Sequence, residues 1–148
     1  MQVRVQQESF ELGAQSDAFA AGVGGAGAIV TFTGVVRDAD AGGLVAMEIE
    51  HYPAMTQKAL ETIAAEATTR WLLADVLVIH RYGRLVPGER IMMVATAARH
   101  RKHAFEAAEY LMDYLKSRAP FWKKEILADG KADWVAAKAD DEAALERW

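Results

Sequence analysis

Cysteine is absent from the 148 residues of the chain. Its absence excludes a disulfide framework, a thiolate metal site, a cysteine nucleophile and a persulfide carried by the chain itself, so any sulfur handled here has to come from a partner. Proline occurs only three times, and no Pro/Ser-rich linker, repeat or low-complexity tract divides the chain. One domain over residues 1–148 is therefore expected. No apolar run approaches the roughly 18–20 residues that span a bilayer, and Met1-Gln2-Val3-Arg4-Val5 lacks the charged-then-apolar layout of a signal peptide. A soluble cytoplasmic protein is the simplest expectation. Nor is there an excess of positive charge: 17 Lys and Arg stand against 21 Asp and Glu, a net charge of −4. This argues against a general nucleic-acid binder, whose affinity is built mainly on Lys and Arg.

What is present is an ordinary globular composition, 52% hydrophobic and 26% charged, enough to build a core without a metal or disulfide staple. The charge is unevenly placed. Between Arg99 and Lys124 seven cations (Arg99, Arg101, Lys102, Lys116, Arg118, Lys123, Lys124) accompany three anions, and the rest of the chain is strongly acidic. A local cationic patch on an acidic protein suits a small anionic ligand or an acidic partner.

The alternation of Val3 and Val5 predicts an edge strand, followed by a short helix near Ser16 to Ala21 with Ser16 as a cap. Gly22, Gly24, Gly25 and Gly27 read as a loop, because they lack the Gly-Lys-Ser/Thr ending of a phosphate loop and precede a strand. Ala28 to Val36 reads as a buried strand, and Leu44 to Tyr52 as a second strand that could form a hairpin with it. Met55 to Trp71 repeats its apolar positions at helical spacing. Asp75 to Tyr82 and Ile91 to Ala97 read as a long hairpin with Pro87-Gly88 at its tip. A second amphipathic helix is predicted from Arg101 to Arg118, ended by Pro120; Phe121 to Leu127 and Trp134-Val135 are then extended, and Ala136 to Trp148 forms a polar helical tail. The total is an α+β domain, two main helices on a mainly antiparallel sheet.

Lys116 lies where a helix C-terminus favours cations, so a plain helix-end charge explains it by itself. Lys123 is harder to explain that way, because Phe121 and Trp122 flank it just where the chain turns back at Pro120. A lysine in a partly apolar pocket can act as acid, base or anion clamp. The run Arg99-His100-Arg101-Lys102-His103 sits at a helix N-terminus, where cations oppose the dipole and an anion would relieve them; a solvated basic turn explains it equally. Arg37 closes the Ala28 to Val36 strand and gains interest only in company with the other cations. His51, His80, His100 and His103 match no zinc spacing, and no resident metal or cofactor is expected.

The order of these segments resembles the large-subunit family of molybdopterin synthase. The matching residues are Val30-Thr-Phe-Thr-Gly34 with Arg37, Glu50-His-Tyr-Pro53 with Met55-Thr56, and Ile79-His-Arg81 with Gly83 and Pro87-Gly88. They continue through His100-Arg101, Ala104-Phe105-Glu106-Ala107, Met112-Asp-Tyr-Leu-Lys116, Arg118-Ala-Pro-Phe-Trp-Lys123 and Trp134-Val135. The resemblance implies an α/β hammerhead-like fold with a small added antiparallel β subdomain. It also implies a sulfurtransferase that builds the dithiolene of molybdopterin from cyclic pyranopterin monophosphate during molybdenum cofactor biosynthesis, two sulfurs per product. The large subunit would form a central homodimer, and a small ubiquitin-like subunit would bind each end to give a heterotetramer, threading in a Gly-Gly tail whose thiocarboxylate donates sulfur. Carried over position by position, Lys116 and Lys123 match the family's pocket lysines and Arg37, His100 and Arg101 its substrate-anion contacts. Lys124 and Glu125 fall in its Lys-Arg-Glu stretch, with Lys in place of a common Arg, and Val35 stands where a Lys can occur. Two rivals are a non-catalytic scaffold for a ubiquitin-like tail and an oligonucleotide binder that stacks bases on Phe121 and Trp122.

Overall fold

The computed structural model describes residues 1–148. Eight strands form two sheets of four. The first has the order β1-β4-β6-β2, built from β1 (Gln2–Gln6), β4 (Asp75–Arg81), β6 (Arg90–Ala98) and β2 (Ala28–Val35). The second has the order β5-β3-β7-β8, built from β5 (Gly83–Leu85), β3 (Leu44–His51), β7 (Phe121–Leu127) and β8 (Ala132–Trp134). Only β1 and β4 pair in parallel; the sheets are otherwise antiparallel.

Strand alternation places the two central strands of the first sheet between two apolar layers. Val76, Val78, Val94 and Ala98 join Leu60, Ile63, Ala64 and Trp71 of α2 (Pro53–Trp71) and Ala104, Ala107 and Leu111 of α3 (Arg101–Ser117) in one core. Leu77, Ile79, Met93, Ala95 and Ala97 face the other way, where Phe10 and Phe19 cover them. That second layer explains α1 (Leu12–Ala21), a helix with one buried residue, Phe19. It begins before the predicted start, so Ser16 lies inside it and Glu11 precedes it without a side-chain cap. Pro53 opens α2 at the first helical position, where its missing N–H costs nothing.

Two expectations need correction. The hairpin of β2 with β3 does not form: β2 pairs with β6, while β3 lies in the other sheet between β5 and β7. Nor is β2 fully buried, because it is the outer strand of its sheet and leaves Ile29, Phe32 and Val35 exposed. A continuous β-branched run looks the same in sequence whether one or both faces are covered. The β4–β6 hairpin does form, and its connection carries β5 into the second sheet.

Gly27 sits where the loop after α1 passes the β6–α3 junction, its N–H donating to Ala98 O at 3.0 Å. A Cβ here would collide with the backbone carbonyl of Arg99. Gly27→Ala is expected to lower stability by about 1–3 kcal/mol, because a backbone neighbour cannot rotate away. Chemical denaturation would register this as an earlier midpoint with an unchanged slope.

Candidate functional site

The second sheet presents two different faces, and the register decides what each carries. Directly paired residues share a face, so Lys123 opposite Ile49, Phe121 opposite His51 and Glu125 opposite Met47 all lie on one side. Ile49 is 1% exposed and belongs to the core, so this is the inner face. Trp122 and Lys124 fall on the other side. There Trp122 meets Tyr52 edge-on at 4.6 Å, and Lys124 lies over the ring of Trp134 at 5.2 Å. The expected flanking of Lys123 by both Phe121 and Trp122 is thus half right, since period-two alternation sends neighbours to opposite faces. Lys124 does not join Lys123, and Glu125, on the same face, makes no ion pair with it.

Burial is the largest influence on Lys123, holding its ammonium below the ordinary lysine range of 10.5. The charge of Lys116 pushes the same way, Asp141 opposes it and Lys138 adds to it. Lys116 stands in the last turn of α3, half exposed, with its Nζ 3.9 Å from the Asp141 carboxylate. The turn at Pro120 therefore brings two lysines from separate elements into one electrostatic neighbourhood.

Two histidines that the sequence offers only as members of matching motifs, with no zinc spacing, gather around Phe121 on the same side as Lys123. His80 on β4 is 5% exposed and stacks on Phe121 with centroids 3.8 Å apart. Burial, above all, lowers its pKa to about 3, with Lys123 and His51 contributing, so the ring is neutral. Its Nδ1 lies 2.8 Å from Arg81 O; only a protonated Nδ1 can donate to a carbonyl, which fixes the tautomer. His51 ends β3 with its ring 4.3 Å from Tyr82, and burial lowers its pKa too. Its Nδ1 is buried without a partner. Asp141 lies in a tail with no recognisable motif, and the strand patterns around His51 and His80 are the sequence signal for the two histidines.

The remaining cations are spread out. Arg37 follows β2, is exposed, and pairs with Asp40 at 3.2 Å. Since β2 runs antiparallel to β6 and α3 returns along them, Arg37 shares an end of the sheet with Lys116. His100 precedes α3 with extended backbone and no side-chain cap, and Arg101 opens the helix; both are exposed, and no acid stands in the first turn. A rise of 1.5 Å per residue puts Arg101 about 22 Å from Lys116, too far for both to hold one small molecule within a single copy. No group of three or more His, Asp or Glu is placed to hold a metal ion, and no helix is long and apolar enough to cross a membrane.

Comparison with known proteins identifies the family. Residues 5–118 match the family model described as MoaE protein. A curated relative in Cereibacter sphaeroides, the molybdopterin synthase catalytic subunit, is 69% identical over 148 residues and covers 100% of both chains. The solved molybdopterin biosynthesis MoaE protein from Burkholderia ambifaria superposes with a TM-score of 0.84 at 51% identity, covering 99% of this chain and 97% of that one. Molybdopterin synthase from Staphylococcus aureus gives a TM-score of 0.81 at 31% identity, covering 90% and 96%. By its two-sheet fold, the family model and these relatives, the chain belongs to the MoaE family of molybdopterin synthase catalytic subunits.

Proposed function

We propose that the chain is the large, catalytic subunit of a molybdopterin synthase. It would act in the cytoplasm on cyclic pyranopterin monophosphate, taking sulfur from the C-terminal thiocarboxylate of a small ubiquitin-like subunit to form the dithiolene, one sulfur at a time. The observation that carries this reading is the half-buried Lys123 beside Lys116 on the inner face of the second sheet. In this reading Lys116 meets the incoming thiocarboxylate, and Lys123 stabilises negative charge as sulfur attacks or moves a proton in the same step. A lysine with a lowered pKa moves a proton more readily near neutral pH than an ordinary one. Lys124 and Glu125 act on this site only indirectly, through the strand they share with Lys123.

The substrate's cyclic phosphate falls to Arg37 and, from a second copy, to His100 and Arg101. The length of α3 between Arg101 and Lys116, about 22 Å, supports that division. A two-fold axis near the middle of α3 would set Arg101 of one copy by Lys116 of the other. The groove between β2 and α3 supports the same contact: Phe32 and Phe105 are 42% and 60% exposed there, beside Ala108 and Met112, in a space of about 420 Å³. Residues 1–148 act as one domain in this assembly, two large subunits at the centre and a small subunit at each end.

The test is product formation from this chain, a thiocarboxylated Gly-Gly-tailed small subunit and cyclic pyranopterin monophosphate, with Lys116→Ala alongside. The expected result is dithiolene product with wild type and at least a hundredfold less with the variant, which still binds the small subunit. Binding without product from wild type would favour the scaffold instead.

A further inference from the structure

Beyond β8 the chain turns back over the lysines. The helix α4 (Ala139–Ala144) carries Asp140, Asp141 and Glu142 in its first turn and packs on the end of α3. Ser117 Oγ donates to Asp141 O at 3.1 Å, and Arg118 Nη1 donates to both Glu142 carboxylate oxygens at 3.0 and 3.1 Å. The Asp141 side chain sits 3.9 Å from Lys116 Nζ and is 30% exposed.

Residues 145–148 fasten this segment to the body of the protein. Arg147 pairs with Asp113 at 2.8 Å and Glu109 at 2.9 Å. Trp148 donates from Nε1 to Asp113 at 2.6 Å, and its backbone oxygen accepts from Arg70 Nη1 at 2.8 Å. Its ring lies edge-on to both Trp71 and Tyr110, 5.6 Å between centroids in each case. The two parts are held unequally. The α4 helix has six residues, none of them buried, and rests on exposed ion pairs of small individual worth. Trp148 adds aromatic packing and two hydrogen bonds.

We propose that residues 139–148 are an intramolecular strap whose Asp141 carboxylate occupies, on Lys116, the place of an incoming chain end, with Trp148 as its clasp. The inference rests on the reading of Lys116 given above. One ammonium cannot hold two carboxylates in the same place, so α4 lifts before the donor tail is seated. The apparent affinity for that tail is lowered by the fraction of time the strap is closed. The strap thereby shields a cationic pocket from small acids while no partner is bound.

The experiment titrates a fluorescent ten-residue peptide ending in Gly-Gly, with a free carboxylate, against the full chain and its Asp141→Asn and Trp148→Ala variants. Both variants are expected to bind the peptide about tenfold more tightly than wild type. Peptide binding to wild type should also speed hydrogen exchange at the amides of α4 while those of α3 stay protected. Equal or weaker binding by folded variants, with wild type still making product, would overturn the strap and leave the synthase reading standing. Failure of every form to bind the peptide or make product would overturn both. Asp141→Asn keeps the size of a partly exposed side chain and removes its charge, so it decides the question even if Trp148→Ala does not fold.

Discussion

Replacing Lys123 with methionine is expected to cut dithiolene formation by about 10²–10⁴-fold, the usual worth of a positioned acid, base or charge stabiliser. Methionine keeps most of the length and loses the charge. The inner face already disfavours that charge, since burial is the main reason the Lys123 ammonium is held below the ordinary range. Removing it should therefore leave the thermal midpoint unchanged or slightly higher, which separates lost chemistry from lost structure. Lys123→Arg should rescue little, because guanidinium keeps its proton and needs a wider, planar seat. If the ammonium is the active form, wild-type activity falls as pH rises through a lysine pKa below 10.5, and the alkaline limb of the pH–rate profile lies correspondingly low. A variant with wild-type turnover would show that Lys123 is a structural cation and move the chemistry to Lys116 alone.

The second large effect is on stability in acid, through His80. The native ring resists protonation down to about pH 3, whereas an unfolded histidine takes up its proton near 6.5. Between these values the unfolded chain binds more protons, so stability is full above about pH 6.5 and declines as pH falls towards 3. At 1.36 kcal/mol per unit, going from pH 7 to pH 4 is expected to cost about 3 kcal/mol from this one residue. His80→Phe keeps a ring against Phe121 and cannot titrate. It forfeits the hydrogen bond to Arg81 O at all pH values, a constant loss of about 1 kcal/mol, but should flatten the acid slope. Urea midpoints measured across pH 4 to 7 test this: parallel curves for variant and wild type would refute it.

Sequence patterning was informative where a pattern depends on one element and weak where it depends on pairing. The apolar spacing of α2 and α3 lies within the chain, so both helices were legible to within two residues. Which strands neighbour one another is a long-range property. Leu44 to Tyr52 looked like the partner of the strand before it, yet it pairs with residues 121–127, and no local signal carries that information. The site shows the same division. Lys116 and Lys123 flank one turn and were legible as a pair. His80 reaches Lys123 only because Phe121, in the second sheet, stacks on a strand of the first, and Asp141 reaches Lys116 only through the return of the tail. The resemblance to a family named the lysines, Arg37, His100 and Arg101, but it could not say that α3 holds Arg101 about 22 Å from Lys116.

The strand order has a kinetic consequence. Gln2 pairs with Leu77, Ala28 with Ala98 and Leu44 with Leu127, each contact joining positions about seventy or more apart. Every one of these closures surrenders chain entropy before it is rewarded, so refolding belongs to milliseconds or seconds and not to the microseconds of helical bundles. During synthesis β3 waits for β7 while its neighbour β5 is already available. The strand that carries Lys123 thus joins its sheet late, ahead of β8 alone, and a newly made chain completes the first sheet before it acquires its chemistry.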